Sequence, residues 1–119
     1  MRDCLIAVID DDALVRDAAA SLIRAFGYRT ATYASADLYL AEAAADPACV
    51  LTDLQMPGRS GLELGAALRA RGSQVPVILM TAYPTEDLRT RASGLGLAAL
   101  LDKPVDPALL NAAIAAAVG

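Results

Sequence analysis

Short apolar runs alternate along this chain with segments of helical spacing, and that alternation constrains the fold more than any other feature. The runs fall at Leu5 to Ile9, Cys49 to Leu51, Val75 to Met80 and Ala98 to Leu101, with a weaker, alternating run near Arg29 to Tyr33. Each is too short for a helix. Those at Leu5, Val75 and Ala98 are continuously apolar, as expected of parallel strands buried on both faces. Between the runs, Leu14, Ala18, Leu22 and Phe26 recur at helical spacing and stop at Gly27, a natural residue for a helix C-terminus. Ser35 opens a second helix through Ala45, ended by Asp46-Pro47, and Ser60 with Glu63 forms a capping box for a third that runs to Gly72. Thr85 followed by Glu86 and Asp87 starts a fourth, and Asp106 with Pro107 opens a fifth. Five strands and five helices in strict alternation imply a parallel sheet with helices on both faces and right-handed crossovers, a doubly wound α/β fold.

The length of 119 residues suits a single domain spanning residues 1–119. Surface scaling for this mass gives about 6,100 Å² folded against about 17,800 Å² unfolded, so roughly 66% of the surface is buried, enough for a real core. The mean hydropathy of +0.44 owes much to alanine. The longest uncharged stretches, Ala92 to Leu101 and Pro107 to Gly119, fall short of the roughly 18 residues that a membrane span requires. Only Leu5 to Ile9 is continuously apolar near the N-terminus, which does not suit a signal peptide, and the expected location is the cytoplasm.

Chemistry is narrowed by what is missing. There are no histidines and only two cysteines, which excludes a structural zinc site and a serine–histidine or cysteine–histidine pair. Cys4 and Cys49 begin apolar runs and are expected to be buried thiols. The net charge of -4, with the arginines scattered and Lys103 the one lysine, argues against nucleic acid as a direct ligand. The fifth helix carries no charge from Pro107 to Gly119 and only Asn111 as a polar side chain. It is expected to leave an apolar face exposed as a surface for a second copy or an output partner.

In a parallel sheet all strand C-termini open onto one edge, and ligands bind there, where the strand order reverses. The first strand runs into Asp10, Asp11 and Asp12, the third ends in Asp53, the fourth in Thr81, and the fifth is followed by Asp102 and Lys103. Gathering Asp10, Asp11 and Asp53 within contact distance costs on the order of 10 kcal/mol, at about 4 kcal/mol per pair in an effective dielectric of about 20. An oxygen-only cluster open to solvent suits a hard, hydrated divalent cation such as Mg²⁺ (or Mn²⁺). Such a cation points to phosphate chemistry, with Lys103 as a compact charge for a phosphate oxygen and Thr81 as a hydroxyl donor. One carboxylate could itself accept a phosphoryl group as an acyl phosphate.

The chain resembles the receiver domain of response regulators in two-component signalling, the CheY-like phosphoacceptor module. The likeness spans the whole chain and rests on Val8-Ile9-Asp10-Asp11-Asp12, on Leu51-Thr52-Asp53-Leu54-Gln55-Met56-Pro57-Gly58 with Gly61, on Val77-Ile78-Leu79-Met80-Thr81-Ala82, and on Lys103-Pro104, in family order and spacing. The resemblance implies a flavodoxin-like (βα)5 fold with strand order 2-1-3-4-5. It implies that Asp53 takes a phosphoryl group from a histidine kinase or phosphotransfer protein, and that Asp10, Asp11, Asp53 and the main-chain carbonyl of Gln55 hold Mg²⁺. It further implies that Thr81 and Lys103 hold the phosphoryl oxygens. The domain is then a signalling module that catalyses only its own phosphorylation and reset. Two positions depart from the family pattern: Leu100 stands where an aromatic residue changes rotamer on activation, and Val105 where an aromatic often follows Lys-Pro. Gln55 and Tyr83 occupy positions that vary in the family and tune dephosphorylation.

Two rival functions share parts of this pattern. A small phosphatase of the haloacid dehalogenase type would use Asp10 as nucleophile and Asp12 as acid. Against it, Leu14 stands where that family has Thr or Val, no acidic pair follows Lys103, and no cap fits in the length. A phosphorylation-independent interaction module would keep the fold and dock through the fifth helix or the Leu100 surface, and the intact acidic set with its lysine argues against that.

Overall fold

A computed structural model describes residues 4–43 and 46–119. The elements alternate as expected: β1 (Leu5–Ile9), α1 (Ala13–Ala25), β2 (Arg29–Tyr33), α2 (Ala36–Glu42), β3 (Cys49–Asp53), α3 (Gly61–Ala70), β4 (Val77–Thr81), α4 (Glu86–Gly94), β5 (Ala99–Asp102) and α5 (Pro107–Val118). All strand pairs are parallel, in the order β2-β1-β3-β4-β5. The order reverses between β1 and β3, so the crevice of a doubly wound sheet lies at their C-terminal ends. This is the flavodoxin-like α/β fold.

The sheet is buried on both faces because successive side chains of each strand point oppositely. Ile6 and Val8 of β1, Leu51 of β3 and Ile78 of β4 pack with Ala20 and Ile23 of α1 and with Leu110 and Ile114 of α5. Ala7, Ile9, Val50 and Val77 face the other way, onto Tyr39 of α2 and Leu64 and Leu68 of α3. Leu79 continues that second face toward Leu88 and Ala92 of α4. The folded surface of 6094 Å² matches the value that scaling gives for this mass.

The caps form where the sequence places them. Asp12 accepts from Leu14 and Val15 N–H, Ser35 from Leu38, Thr85 from Leu88 and Asp106 from Ala108, while Ser60 and Glu63 close a reciprocal capping box. Gly27, just past the C-cap of α1, has φ +103°, a left-handed conformation that glycine adopts without steric cost.

Three details differ from the sequence reading. The stripe Leu14, Ala18, Leu22, Phe26 is only half on the core: Leu14 is 82% exposed and Ala18 is exposed, while Leu22 and Phe26 pack partly buried beside Ala19 against a core to which α1 contributes Ala20 and Ile23. The second helix closes at Glu42, because Ala43 is already extended (φ -69°, ψ 117°), and residues 44 and 45 of the expected helix lie outside the described residues. The third strand ends at Asp53 as expected, its ladder with β4 continuing to Asp53 opposite Met80. The fifth strand is only half buried, being the sheet's edge, and it takes in Asp102.

Candidate functional site

The C-terminal edge of the sheet gathers four side chains from four strand ends. Asp10 follows the last residue of β1 and is fully buried; Asp53 ends β3 and Thr81 ends β4, both buried; Lys103 follows β5 and keeps 26% of its side chain exposed. A main-chain bond from Lys103 N–H to the Thr81 carbonyl (2.8 Å) fixes the start of the loop after β5 against β4. The ammonium of Lys103 then lies 3.0 Å from Asp53 Oδ1 and 3.8 Å from Asp10 Oδ2.

One carboxylate oxygen from each of Asp10, Asp11 and Asp53 lies within 4.8 Å of the other two, with Asp11 exposed between two buried partners. Asp10 Oδ1 accepts from the N–H of Asp12 at 3.0 Å. Its Oδ2 is buried with no hydrogen-bond partner, the lysine being too distant for one. Burial holds the Asp10 carboxyl above its ordinary range and the charges of Asp53 and Asp11 push the same way, against the Asp12 N–H and Lys103. A buried acceptor without a donor, inside a set of hard oxygen ligands, has the chemistry that suits a divalent cation.

The remaining candidates fall around this cluster. Thr81 Oγ1 accepts from Tyr83 N–H at 3.1 Å, which leaves the hydroxyl hydrogen to donate. Gln55 stands exposed in the loop between β3 and α3, two residues beyond Asp53. Asp12 is spent on capping α1 rather than joining the cluster, its oxygen taken by Leu14 N–H at 2.9 Å and Val15 N–H at 3.3 Å. Asp102 pairs in register with Thr81 and is exposed. Leu100 is half buried against the patch formed by Leu79, Leu88 and Ala92, and Tyr83 is 75% exposed.

The loop that carries Gln55 is closed tightly. Leu54 N–H donates to the Met80 carbonyl at 2.8 Å, and Gly61 N–H returns to the Leu54 carbonyl at 2.9 Å. A Cβ at Gly61 would overlap the Asp53 carbonyl oxygen and stand 2.8 Å from Leu79 Cδ2, so only glycine allows α3 to begin this close to Asp53. One contributor escaped the sequence reading: Arg16, in the first turns of α1, donates from Nη1 to the main-chain carbonyl of Asp10 at 2.8 Å. Its position four residues after Asp12 marks it as facing the loop, yet such a spacing also describes an ordinary solvated arginine.

Comparison with known proteins finds relatives of one family and one fold. A family profile described as "Response regulator receiver domain" matches residues 6–115. The transcriptional regulatory protein FixJ of Azorhizobium caulinodans is 42% identical over 113 residues, covering 94% of this chain and 54% of that protein. The response regulator protein TodT of Pseudomonas putida is 30% identical over 118 residues, covering 98% of this chain and 52% of that protein. The chain thus spans about half the length of the curated relatives it matches. Among solved structures, the FixJ-N crystal structure superposes with a TM-score of 0.90 at 28% identity, covering 99% of this chain and 95% of that one. The chemotaxis protein CheY4 of Vibrio cholerae superposes with a TM-score of 0.89 at 22% identity, covering 97% and 98% of the two chains, a likeness of fold.

Proposed function

The chain belongs to the response regulator receiver domain family, and from that premise we propose that Asp53 is its phosphoacceptor, charged by a histidine kinase or phosphotransfer protein in a Mg²⁺-dependent reaction. The observation that carries this reading is the placement of Lys103 Nζ 3.0 Å from Asp53 Oδ1 at the sheet edge where Asp10 and Asp11 converge.

The residues fit a divalent cation. Asp10 Oδ2 is buried and unpartnered, the donors are all hard oxygens, and Asp11 opens the cluster to water. Asp10, Asp11 and Asp53 would hold Mg²⁺ (or Mn²⁺), with the Gln55 main-chain carbonyl as a further ligand. When bound, the ion neutralises negative charge on the phosphoryl oxygens as it develops.

The chain's own groups do the rest. An Asp53 carboxylate oxygen forms a bond to phosphorus as the phosphorus–nitrogen bond of the donor imidazole breaks, and the bonding pair leaves with the ring nitrogen. Lys103, already beside Asp53, passes from the carboxylate to a phosphoryl oxygen as a compact cation, and Thr81 donates its hydroxyl hydrogen to another. Reset is the attack of water on phosphorus, which releases inorganic phosphate and restores the Asp53 carboxylate. These two steps are the only chemistry this reading assigns to the domain, with a cytoplasmic setting. The phosphatase alternative has no free acid at Asp12, whose carboxylate caps α1.

The uncovered flank of α5, with Leu109 59% exposed beside Ala112, Ala115 and Ala116, is the surface this reading assigns to a second copy or an output partner. Light scattering before and after phosphorylation tests the second copy, and an unchanged monomer removes it. For the reaction, the chain is incubated with a small acyl-phosphate donor and Mg²⁺ and then mapped by peptide. Label on Asp53 is the expected result; label on Asp10, or none with Mg²⁺ present, overturns the assignment.

A further inference from the structure

Three main-chain N–H groups anchor the loop between β1 and α1. Asp10 N–H donates to the Tyr33 carbonyl at 3.2 Å, Asp12 N–H donates to Asp10 Oδ1 at 3.0 Å, and Arg16 N–H donates to the Asp12 carbonyl at 2.9 Å as the first turn of α1. The carbonyl of Asp10 lies beyond the last residue of β1, so neither neighbouring strand supplies it with a ladder donor. The half-buried Arg16 side chain reaches back from α1 and fills that gap at 2.8 Å.

The peptide fixed in this way leads directly into Asp11. The Asp11 side chain is exposed and makes no hydrogen bond or ion pair among the described residues, so its place within 4.8 Å of Asp10 and Asp53 is set by the backbone that bears it. We propose that Arg16 is a positioning residue for the divalent cation: by clamping the Asp10 carbonyl it presets the loop that aims Asp10 and Asp11 at Asp53.

This role rests on the phosphoacceptor reading above, and it predicts where the loss falls. Without the clamp, the Asp10–Asp11 peptide has to be ordered when the cation binds. Fixing the backbone of one residue corresponds to roughly tenfold in an equilibrium constant. Guanidinium, with several donors in one plane, suits a carbonyl approached from a helix turn, and a lysine ammonium reaches the same oxygen with less orientational control.

The test is calorimetric titration of Mg²⁺ into the whole chain, with Arg16→Ala and Arg16→Lys beside the original. The Ala variant should bind about tenfold more weakly, in line with that ordering cost, and Arg16→Lys should recover part of the loss. Labelling of Asp53 by an acyl-phosphate donor, followed against Mg²⁺ concentration, should shift in its half-saturating concentration rather than in its plateau. Unchanged affinity in Arg16→Ala overturns the proposal, as does tighter binding, which would mean that the guanidinium acts mainly by repelling the cation. If Arg16→Ala does not fold, Arg16→Gln carries the same comparison, and an affinity equal to the original again overturns it. Absence of Mg²⁺ uptake by the unsubstituted chain is a separate result, which removes the phosphoacceptor reading itself.

Discussion

Lys103 Nζ lies 3.0 Å from Asp53 Oδ1, an ion pair between the ends of β3 and β5 with β4 between them. The lysine reaches across Thr81, whose carbonyl accepts its main-chain N–H, so the pair forms only when all three strand ends are in register. Breaking either partner has distinct effects. Asp53→Asn should abolish acyl-phosphate formation altogether. Lys103→Met should lower the labelling rate roughly 100-fold, as loss of one preorganised donor does, and Lys103→Arg, a bulky fork in place of a point charge, should restore little of it. Labelling kinetics at saturating Mg²⁺ measure all three.

Asp10 is a cost to the cation-free fold. Its carboxyl is held above the ordinary value of 3.8, chiefly by burial. A carboxyl with a raised folded-state pKa favours the folded state when protonated, so the stabilisation is complete below about 3.8 and is lost as pH climbs through the folded-state value. Asp10→Asn should therefore melt higher than the original at neutral pH, by about 1 kcal/mol, and the difference should shrink as pH falls toward 4. The same substitution should weaken Mg²⁺ binding. Thermal melts across pH in the absence of divalent ions, paired with calorimetry, check both signs.

Gly61→Ala forces a methyl group against the Asp53 carbonyl oxygen and Leu79. Moving α3 away relieves the clash only by opening the loop tied by Leu54 and Gly61. A loss of about 2 kcal/mol in denaturant unfolding is expected, together with a lower Asp53 labelling rate, since the displaced carbonyl belongs to Asp53, the proposed phosphoacceptor.

Cys49 is fully buried at the start of β3, and burial pushes its thiol up to about 12. Alkylation at pH 8 should leave it untouched in the folded chain and modify it on unfolding. Mass mapping of iodoacetamide adducts, with and without denaturant, reads this out.

The sequence was most informative where backbone chemistry is local. Ser60 with Glu63, Thr85 and Asp106 named their helix starts because capping needs only a side-chain oxygen and an N–H a few residues away. The rim of Asp10, Asp11, Asp53, Thr81 and Lys103 was legible for a related reason: in a parallel sheet, sequence position at a strand end becomes spatial position at one edge. Orientation was harder. Leu14 has core-like spacing, yet it is 82% exposed, because α1 packs on the sheet through Ala20 and Ile23, an outcome set by tertiary contact rather than by spacing along the helix. Nor could spacing separate Asp12 from Asp10 and Asp11, since a carboxylate that caps a helix and one that lines a cluster are the same letter.

Asp11 is exposed to water, whereas Asp10 is fully buried and the Asp53 side chain keeps 13% exposure. The core clusters on the two faces of the sheet are built from apolar and aromatic side chains and include none of these carboxylates. Occupancy should therefore follow the free concentration outside, and a chelator should strip the pocket while leaving the fold intact, unlike metallodomains that collapse on demetallation.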